Sequence, residues 1–264
     1  MRSAVDDFLF SVPIRINARR LNLNVRHVCK QPRSFLTGRL PVSVTGKQAG
    51  TATNLTPLQF TLLSEKLHAA GYESHFVGKG HLGWQTSDHL LVNRGFTSHA
   101  GYLGGGETYK WGGGSANATA GRHDMWHNET PGIELVPEIN YSTNFYSEYA
   151  VVRIQDRNQS RPFWLHLAYQ GVHGGEYRED PPPQDDLPAG TGFRDPGYGN
   201  ALVAVDHGIR NVTQALHRAG MWHNTLLVLL SDNGGDDPPT VGREESGFAS
   251  NYPYVHWFGH CPAS

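Results

Sequence analysis

The most regular hydrophobic pattern in the chain lies in its second half, where apolar residues recur at every third or fourth position. The positions are spaced 3, 4, 3 and 4 residues apart and comprise Leu202, Val205, Ile209, Val212 and Leu216. This spacing is typical of one buried face of a helix. Because glycine is common just after a helix, we predict a long amphipathic helix that ends before Gly220.

Two weaker patterns predict two further helices. One runs from Phe145 to Arg157. The other is predicted to start at Thr56, a suitable capping residue, with Pro57 in its first turn, and to end before Gly71. The apolar face of this second helix would comprise Leu58, Leu62, Leu63, Leu67 and Ala70.

Each predicted helix is followed by a short apolar run that indicates a strand. The runs extend from Glu73 to Val77, from Phe163 to Tyr169 and from Thr225 to Leu230. They lack alternation with polar residues, which favours a parallel sheet covered by helices on both faces. Residues 93–135 are rich in glycine and polar residues, and we predict a long, partly ordered loop there.

Polar side chains cluster just beyond the ends of these three strands. In open α/β sheets this edge of the sheet is where ligands bind. Lys79 and His81 are two positions apart, so in an extended segment both side chains would point the same way and could bind an oxyanion. The other pairs at this edge are Gln170 with His173 and Asp232 with Asn233.

The oxygen atoms of Asp232 and Asn233 suit a hard cation such as calcium. Taken singly, each of these features has an ordinary alternative. Asp-Asn-Gly-Gly is also a common turn sequence, and an isolated lysine or histidine is usually a surface residue.

Composition excludes several classes of function. The 264 residues carry 22 Lys and Arg against 24 Asp and Glu, so no basic field indicates nucleic-acid binding. No apolar window approaches the ~20 residues of a membrane span. Cys29 and Cys261 are the only cysteines, which is too few for a disulfide framework, and they form no Cys-x-x-Cys metal motif.

Six Asn-x-Ser/Thr triplets indicate a protein of the secretory pathway, lysosomal or extracellular. No signal peptide is visible at the N-terminus, where Asp6 and Asp7 precede a short apolar run. The triplets begin at Asn54, Asn117, Asn128, Asn140, Asn158 and Asn211.

Five segments carry a joint resemblance to one family. They are CKQPRSFLTGR at 29–39, GY at 71–72 with GKGHLG at 78–83, RGF at 94–96 with GYLG at 101–104, PF at 162–163 with QGVH at 170–173, and SDNGG at 231–235. In order and spacing these segments resemble the N-terminal catalytic domain of the formylglycine-dependent sulfatases, especially the arylsulfatase B-like branch. The resemblance implies a sulfuric ester hydrolase.

The resemblance also implies an architecture. It predicts an α/β fold of the alkaline-phosphatase-like sulfatase type, a sandwich with a mostly parallel sheet flanked by helices and truncated at both ends. Residues 29–235 would form a partial catalytic domain, whereas residues 1–28 and 236–264 stay unassigned. The strand that opens the family's sheet is not visible, and the apolar surface left by its loss predicts marginal solubility.

For the reaction, the resemblance implies four roles. Cys29 would be converted to formylglycine by a formylglycine-generating enzyme, and its hydrated aldehyde would attack the sulfur of a sulfate ester. Arg33 would lie beside it, and Lys79 would bind both the sulfate and the formylglycine. His81 would orient the formylglycine and help its hemiacetal collapse.

The remaining implied residues act on the leaving group and on a metal ion. His173 would donate a hydrogen bond or a proton to the leaving oxygen. Asp232 and Asn233 would ligate calcium, which polarises the sulfate. The implied substrates are sulfate esters, including those of sulfated glycans.

Three departures from the family pattern keep other functions open. Gln31 occupies the position of the motif's proline, Asp6-Asp7 lacks the glycine of the family's metal-binding pair, and no lysine follows Lys110. One alternative is therefore a catalytically inactive sulfatase-like protein or fragment that binds sulfated glycans. The other is a phosphodiesterase of the alkaline-phosphatase-like superfamily, which would normally use a Thr or Ser nucleophile and zinc.

Overall fold

A computed structural model describes residues 31–39, 56–110, 123–173 and 196–232 of the chain. The α-helices and β-strands in chain order are α1 (Gln31–Thr37), α2 (Leu63–Ala69), β1 (Glu73–Lys79), β2 (Ser98–Tyr102), β3 (Trp126–His127), β4 (Thr130–Pro131), α3 (Ser142–Gln155), β5 (Phe163–Ala168) and α4 (Pro196–Arg218). Short 3-10 helices occupy Ser87–His89, Leu91–Arg94, Ile133–Glu138 and Trp222–Asn224.

The sheet has five strands in the order β4-β3-β2-β1-β5. Strand β1 lies between β2 and β5 and runs parallel to both, and the short β3–β4 hairpin joins antiparallel to β2. The three longest strands are therefore parallel, as predicted. Their carboxyl ends meet at one edge of the sheet, which is where the polar pairs were expected to gather.

Helices cover both faces of this sheet, as the unalternating apolar strands predicted. On one face Leu165 and Leu167 of β5 pack against the residues of α3 and α4, including Ile154 and Leu216. On the other face Phe76 of β1 packs in a cluster with Leu36 of α1, with Leu62 just before α2, and with three residues from the chain after β1, namely Leu82, Leu91 and Phe96. Successive residues of one strand point to opposite faces, so both layers draw on the same short strands.

Close approach between the parallel strands depends on Gly78. This residue has φ +98°, a left-handed backbone conformation that side chains disfavour. A Cβ at Gly78 would also overlap the carbonyl oxygen of Ala168 in β5. Glycine is thus required at this position, one residue before Lys79.

Helices α3 and α4 confirm the predictions at 145–157 and 202–216, with α4 starting earlier than its apolar pattern. The predicted start of α2 was wrong, because the helix begins at Leu63 and not at Thr56. The backbone N–H of Thr56 bonds instead to the carbonyl of Leu82, at 2.7 Å. At the start of the helix, the backbone N–H of Leu62 donates to the carboxylate of Glu65, at 2.5 Å.

The prediction of a loop over 93–135 was also wrong in part, because it missed β2. This strand is short and contains Gly101, so it lacks the apolar run by which strands were recognised. It is nevertheless buried, because it lies between β3 and β1 and pairs with β1 along its whole length. Tertiary pairing here outweighs weak local propensity.

The predicted strand over Thr225–Leu230 is absent. This segment is irregular, and Leu226 and Leu229 are 88% and 76% exposed. Its sequence is apolar enough for a buried strand, but a strand needs a neighbour for its backbone hydrogen bonds. Within the described ranges the sheet ends at β5, and no strand pairs with this segment.

Among the described residues, no helix is both long enough and apolar enough to cross a membrane.

Candidate active site

Lys79 is the last residue of β1 and lies at the carboxyl edge of the sheet. Its side chain is almost fully buried between the neighbouring strands. Its ammonium nitrogen lies 3.2 Å from Oδ2 of Asp232, with which it forms an ion pair. Residues far apart in the sequence, each placed at a strand end by prediction, therefore meet here.

His81 follows two residues later in a turn, not in an extended strand. Its φ is +44°, a left-handed conformation that only a few per cent of non-glycine residues adopt. The premise that strand alternation aligns Lys79 with His81 was thus wrong, because β1 ends at Lys79. The turn is instead held by two backbone bonds to the chain after β2, from Gly80 N–H to the carbonyl of Tyr102 and from His81 N–H to that of Leu103, at 2.7 and 3.1 Å.

The electrostatic surroundings of His81 favour its neutral form. Burial is the main cause that lowers its pKa to about 4, and the nearby Lys79, Arg33 and His173 act in the same direction, whereas Asp232 acts in the opposite direction. These charged groups therefore surround one imidazole. At neutral pH this imidazole is unprotonated and can accept a proton.

Arg33 lies in α1, far from His81 in the sequence. Its side chain is only 1% exposed, and its Nη2 lies 3.5 Å from the carbonyl oxygen of His81, which accepts from it. Burial of a guanidinium requires hydrogen-bond partners. The helix that carries Arg33 is thereby tied to the turn that carries His81.

His173 lies beyond β5, at the same edge of the sheet. Its backbone N–H is shared between the carbonyl of Gln170, at 2.9 Å, and the hydroxyl of Tyr109, at 3.0 Å. The structure thus brings together Arg33, Lys79, His81, His173 and Asp232. The predicted nucleophile precursor Cys29 and the predicted ligand Asn233 lie outside the described residues, as do Asp6 and Asp7.

Sequence reasoning missed a buried polar network beneath these groups. The hydroxyl of Tyr102 donates to Oε1 of Gln170, and the amide of Gln170 donates to the carbonyl of Glu107 at 2.9 Å. The hydroxyl of Tyr146 in α3 donates to the carboxyl group of Glu107, also at 2.9 Å. The available signal was the run of polar and aromatic residues inside the glycine-rich stretch, which was taken as connective.

Glu107 is fully buried in this network. Burial raises its pKa to about 8, although hydrogen bonds from Tyr146 and the charge of Lys79 act in the opposite direction. The carboxyl group is therefore mainly protonated at neutral pH. It is therefore a neutral structural group in the buried network beneath the site.

The described residues do not on their own fit a calcium ion. Calcium takes about 6 to 8 oxygen ligands, several of them carboxylates. No group of three or more His, Cys, Asp or Glu side chains with metal-binding geometry occurs in the described part of the chain. Asp232 is the single predicted ligand that is described there, and Lys79 pairs with one of its oxygens.

Comparison with known proteins decides the family. A sequence model of the sulfatase family matches residues 29–254. The chain belongs to the sulfatase family. It is 32% identical to mouse arylsulfatase J over 243 residues, which cover 88% of this chain and 38% of the relative. It is 27% identical to human N-acetylgalactosamine-6-sulfatase over 257 residues, covering 86% of this chain and 44% of the relative.

A solved structure supports the same assignment at the level of the fold. The crystal structure of Ps i-CgsB superimposes with a TM-score of 0.68 at 26% identity, covering 88% of this chain and 52% of that protein. The same protein in complex with k-i-k-neocarrahexaose gives a TM-score of 0.66. The alkaline-phosphatase-like fold of the sulfatases is thereby confirmed for this chain, which spans about half or less of the length of these relatives.

Proposed function

We propose that this chain carries part of the active site of a sulfuric ester hydrolase. The observation that supports the proposal best is the convergence of four nitrogen-bearing side chains at one edge of the sheet. Arg33 and Lys79 are buried cations, and His81 and His173 lie within the same charged neighbourhood. Preorganised positive charge and hydrogen-bond donors of this kind stabilise an anion whose charge grows in the transition state.

Within this proposal each described side chain has one task. Lys79 binds a sulfate oxygen, and Arg33 holds the His81 turn from behind. His81 is neutral at pH 7 because burial lowers its pKa to about 4, so its unprotonated ring nitrogen can orient the formylglycine as a hydrogen-bond acceptor. His173 donates a hydrogen bond or a proton to the oxygen of the leaving alcohol.

The nucleophile and the metal belong to the proposal by resemblance. We expect Cys29 to be the precursor of formylglycine, which supplies a hydrated aldehyde as the attacking oxygen. Asp232 and Asn233 are expected to contribute two of the oxygens that hold calcium. Further ligands would have to come from outside the described residues, so no step is assigned to the ion here.

We also propose that the protein passes through the secretory pathway. Of the six glycosylation triplets, those at Asn140, Asn158 and Asn211 present exposed asparagine side chains in the structure. An exposed side chain is what attachment of a glycan requires. A substrate that is itself a sulfated glycan would fit that location, and the named activity of the N-acetylgalactosamine-6-sulfatase relatives supports that choice.

The test is co-expression of the full chain with a formylglycine-generating enzyme, followed by two measurements. Mass spectrometry of the peptide with Cys29 should show conversion of the thiol to the aldehyde. Hydrolysis of 4-nitrophenyl sulfate with added calcium should then be detectable. Lys79→Ala should lower kcat/KM by about 100-fold or more, whereas Lys66→Ala on the exposed side of α2 should leave it unchanged.

The other outcomes separate the alternatives. An unmodified Cys29 without turnover, combined with stabilisation of the protein by inorganic sulfate that Lys79→Ala abolishes, would replace the catalytic proposal with a sulfate-binding protein. Preferential hydrolysis of bis(4-nitrophenyl) phosphate would instead indicate a phosphodiesterase. Turnover of the aryl sulfate that is insensitive to Lys79→Ala would contradict the assigned site.

A further inference from the structure

We propose that residues 102–109, which comprise the last residue of β2 and the segment after it, are the positioning element of this site. Within this segment, Tyr109 is the positioning residue of His173. The proposal rests on the proposed function for its catalytic meaning. Its structural basis is independent of that function. The segment contacts both histidines, and it is itself fixed from below by buried polar groups.

On one side, the segment determines where His81 lies. The carbonyls of Tyr102 and Leu103 accept from the backbone N–H groups of Gly80 and His81. Gly105 lies directly against the imidazole, since a Cβ at this position would be 3.0 Å from both Cε1 and Nε2 of His81. A residue larger than glycine at position 105 would therefore crowd the ring, and the two backbone bonds hold the left-handed His81 in place.

On the other side, the same segment determines where His173 lies. The hydroxyl of Tyr109 accepts from the backbone N–H of His173 at 3.0 Å. Tyr109 is fully buried and its ring stacks on Tyr141, with ring centroids 5.1 Å apart. The carbonyl of Tyr109 also accepts from the N–H of Ser142 at the start of α3, at 2.6 Å. A rigid aromatic thus ties the chain after β5 to the chain after β2.

The segment is held in turn by Glu107 and Gln170. The side chain of Gln170 bridges the two ends of the segment, because it accepts from Tyr102 and donates to the carbonyl of Glu107. Tyr146 of α3 donates to the carboxyl group of Glu107. Every one of these side chains is buried. Buried hydrogen bonds of this kind restrict movement, because breaking one leaves a polar group without water.

This arrangement explains how two imidazoles from different strands can keep a fixed separation. Each histidine follows a separate strand end, and the backbone N–H of each donates to this one segment, to Leu103 for His81 and to Tyr109 for His173. A displacement of about 1 Å between reacting groups is enough to lower a rate by about 100-fold. Positioning by a shared segment is therefore a requirement for chemistry that uses both histidines.

The experiment uses the full chain with isotopically labelled histidine and compares three single variants. Tyr109→Phe removes only the hydroxyl that accepts from His173. Gly105→Ala adds the methyl group that presses on His81. Tyr169→Phe is the matched control, because it removes a half-buried hydroxyl that bonds to Ser147 at 2.9 Å instead of to a histidine.

Two readouts are taken on each protein, namely the imidazole resonances of both histidines and the kinetics of 4-nitrophenyl sulfate hydrolysis. We expect Tyr109→Phe to shift the resonances of His173, and Gly105→Ala to shift those of His81. Tyr109→Phe should lower kcat about tenfold with little change in KM, since it misplaces a group without removing a substrate contact. Tyr169→Phe should do neither.

Resonances of His173 that respond equally to Tyr109→Phe and Tyr169→Phe would overturn the proposal, as would a loss confined to KM. Absence of turnover in the parent protein would count against the proposed function alone. In that case the resonances still decide whether the segment positions the two histidines.

Discussion

Lys79, His81, His173 and Asp232 could be selected from the sequence because each follows an apolar run at a strand end. The rule that ligands gather at this edge of an α/β sheet needs no knowledge of side-chain contacts. Gln170 could be selected in the same way, but neither its hydrogen bonds nor Glu107 could be found from the pattern. Gln170 donates to the backbone carbonyl of Glu107, and Tyr146 donates to the carboxyl group of Glu107. Such hydrogen bonds depend on tertiary geometry that the local sequence pattern does not encode.

Glu107 provides the first prediction at the level of a single residue. Its folded-state pKa is about 8, above the ordinary value of 4.5, so the folded protein keeps a proton that the unfolded chain releases. The stability linked to this proton is present below pH 4.5 and is lost as the pH rises toward 8. Glu107→Gln keeps the neutral shape and removes this loss. In urea titrations the variant should gain stability relative to the parent between pH 6 and pH 8.

A parallel decline of parent and variant over this pH range would show that Glu107 is not protonated in the folded protein. Glu65→Gln is a suitable control, because Glu65 is another carboxylate that bonds to a buried arginine, Arg94, at 3.2 Å. This variant should lose stability through the weakened pair at every pH in the range. It therefore distinguishes general loss of a carboxylate from loss of a buried proton.

At the scale of elements, periodic patterns predicted the two long helices α3 and α4 well, missed the start of α2 and the whole of α1, and predicted the strands less well. Helix α4 has enough apolar positions at helical spacing to define its buried face without help from neighbours. Strand β2 has no apolar run by which a strand could be predicted. The segment 225–230 has such a run but forms no strand. A helix satisfies its own backbone, whereas a strand depends on a partner whose presence the local sequence does not report.

The exposed run at 225–230 gives a prediction about solubility. Leu226 and Leu229 lie mostly in water, so replacing both with lysine should cost little stability. The double variant should also show less aggregation in light-scattering measurements, because an apolar extended segment promotes association. Leu216→Lys in the buried face of α4 is the contrasting substitution and should destabilise the fold by about 3 kcal/mol or more.

If the double variant instead loses as much stability as Leu216→Lys, the run at 225–230 is buried in solution. That result would indicate that the run has found a strand partner. Measurement at several protein concentrations would show whether the partner is another copy of the chain, because only then does the melting temperature depend on concentration.

Gly78 gives a second prediction at the level of elements. Gly78→Ala combines a left-handed backbone with steric overlap on β5, whereas Gly220→Ala has the same type of backbone, φ +69°, with open space around it. Gly220→Ala should therefore cost about 1 kcal/mol. Gly78→Ala should cost several times as much, or prevent folding, as measured by denaturant unfolding. Equal costs would mean that β1 and β5 are less closely packed than the sheet register indicates.

At the scale of the whole molecule, the chain combines a recognisable sheet with an open edge. The sheet ends at β5 within the described residues, and the apolar run at 225–230 lies beyond the last helix without a strand partner there. The relatives are two to three times as long in the matched comparisons, with this chain covering 38% and 44% of two of them. The exposed apolar run agrees with the marginal solubility predicted from the sequence, which stays a prediction until the protein is measured.

Buried histidines make the stability of the whole fold sensitive to acid. Burial lowers the pKa of His99 to about 3 and that of His166 to about 4, and His81 behaves similarly. Below their ordinary value of 6.5 the unfolded chain binds protons that the folded protein excludes. Stability is therefore highest above pH 6.5 for these groups and falls as the pH decreases, by about 1.4 kcal/mol per pH unit for each.

The variant that tests this is His99→Phe. His99 is fully buried and packs edge to face on Phe76, so a phenyl ring can replace it without adding a polar group. Between pH 6 and pH 4.5 the variant should lose stability less steeply than the parent, by about 1.4 kcal/mol per pH unit. Glu107→Gln acts in the opposite direction over part of this range, so the two slopes should change with opposite signs. An unchanged acid slope in His99→Phe would mean that His99 is charged or solvated in the folded protein, and any acid sensitivity of the fold would then have to come from other groups.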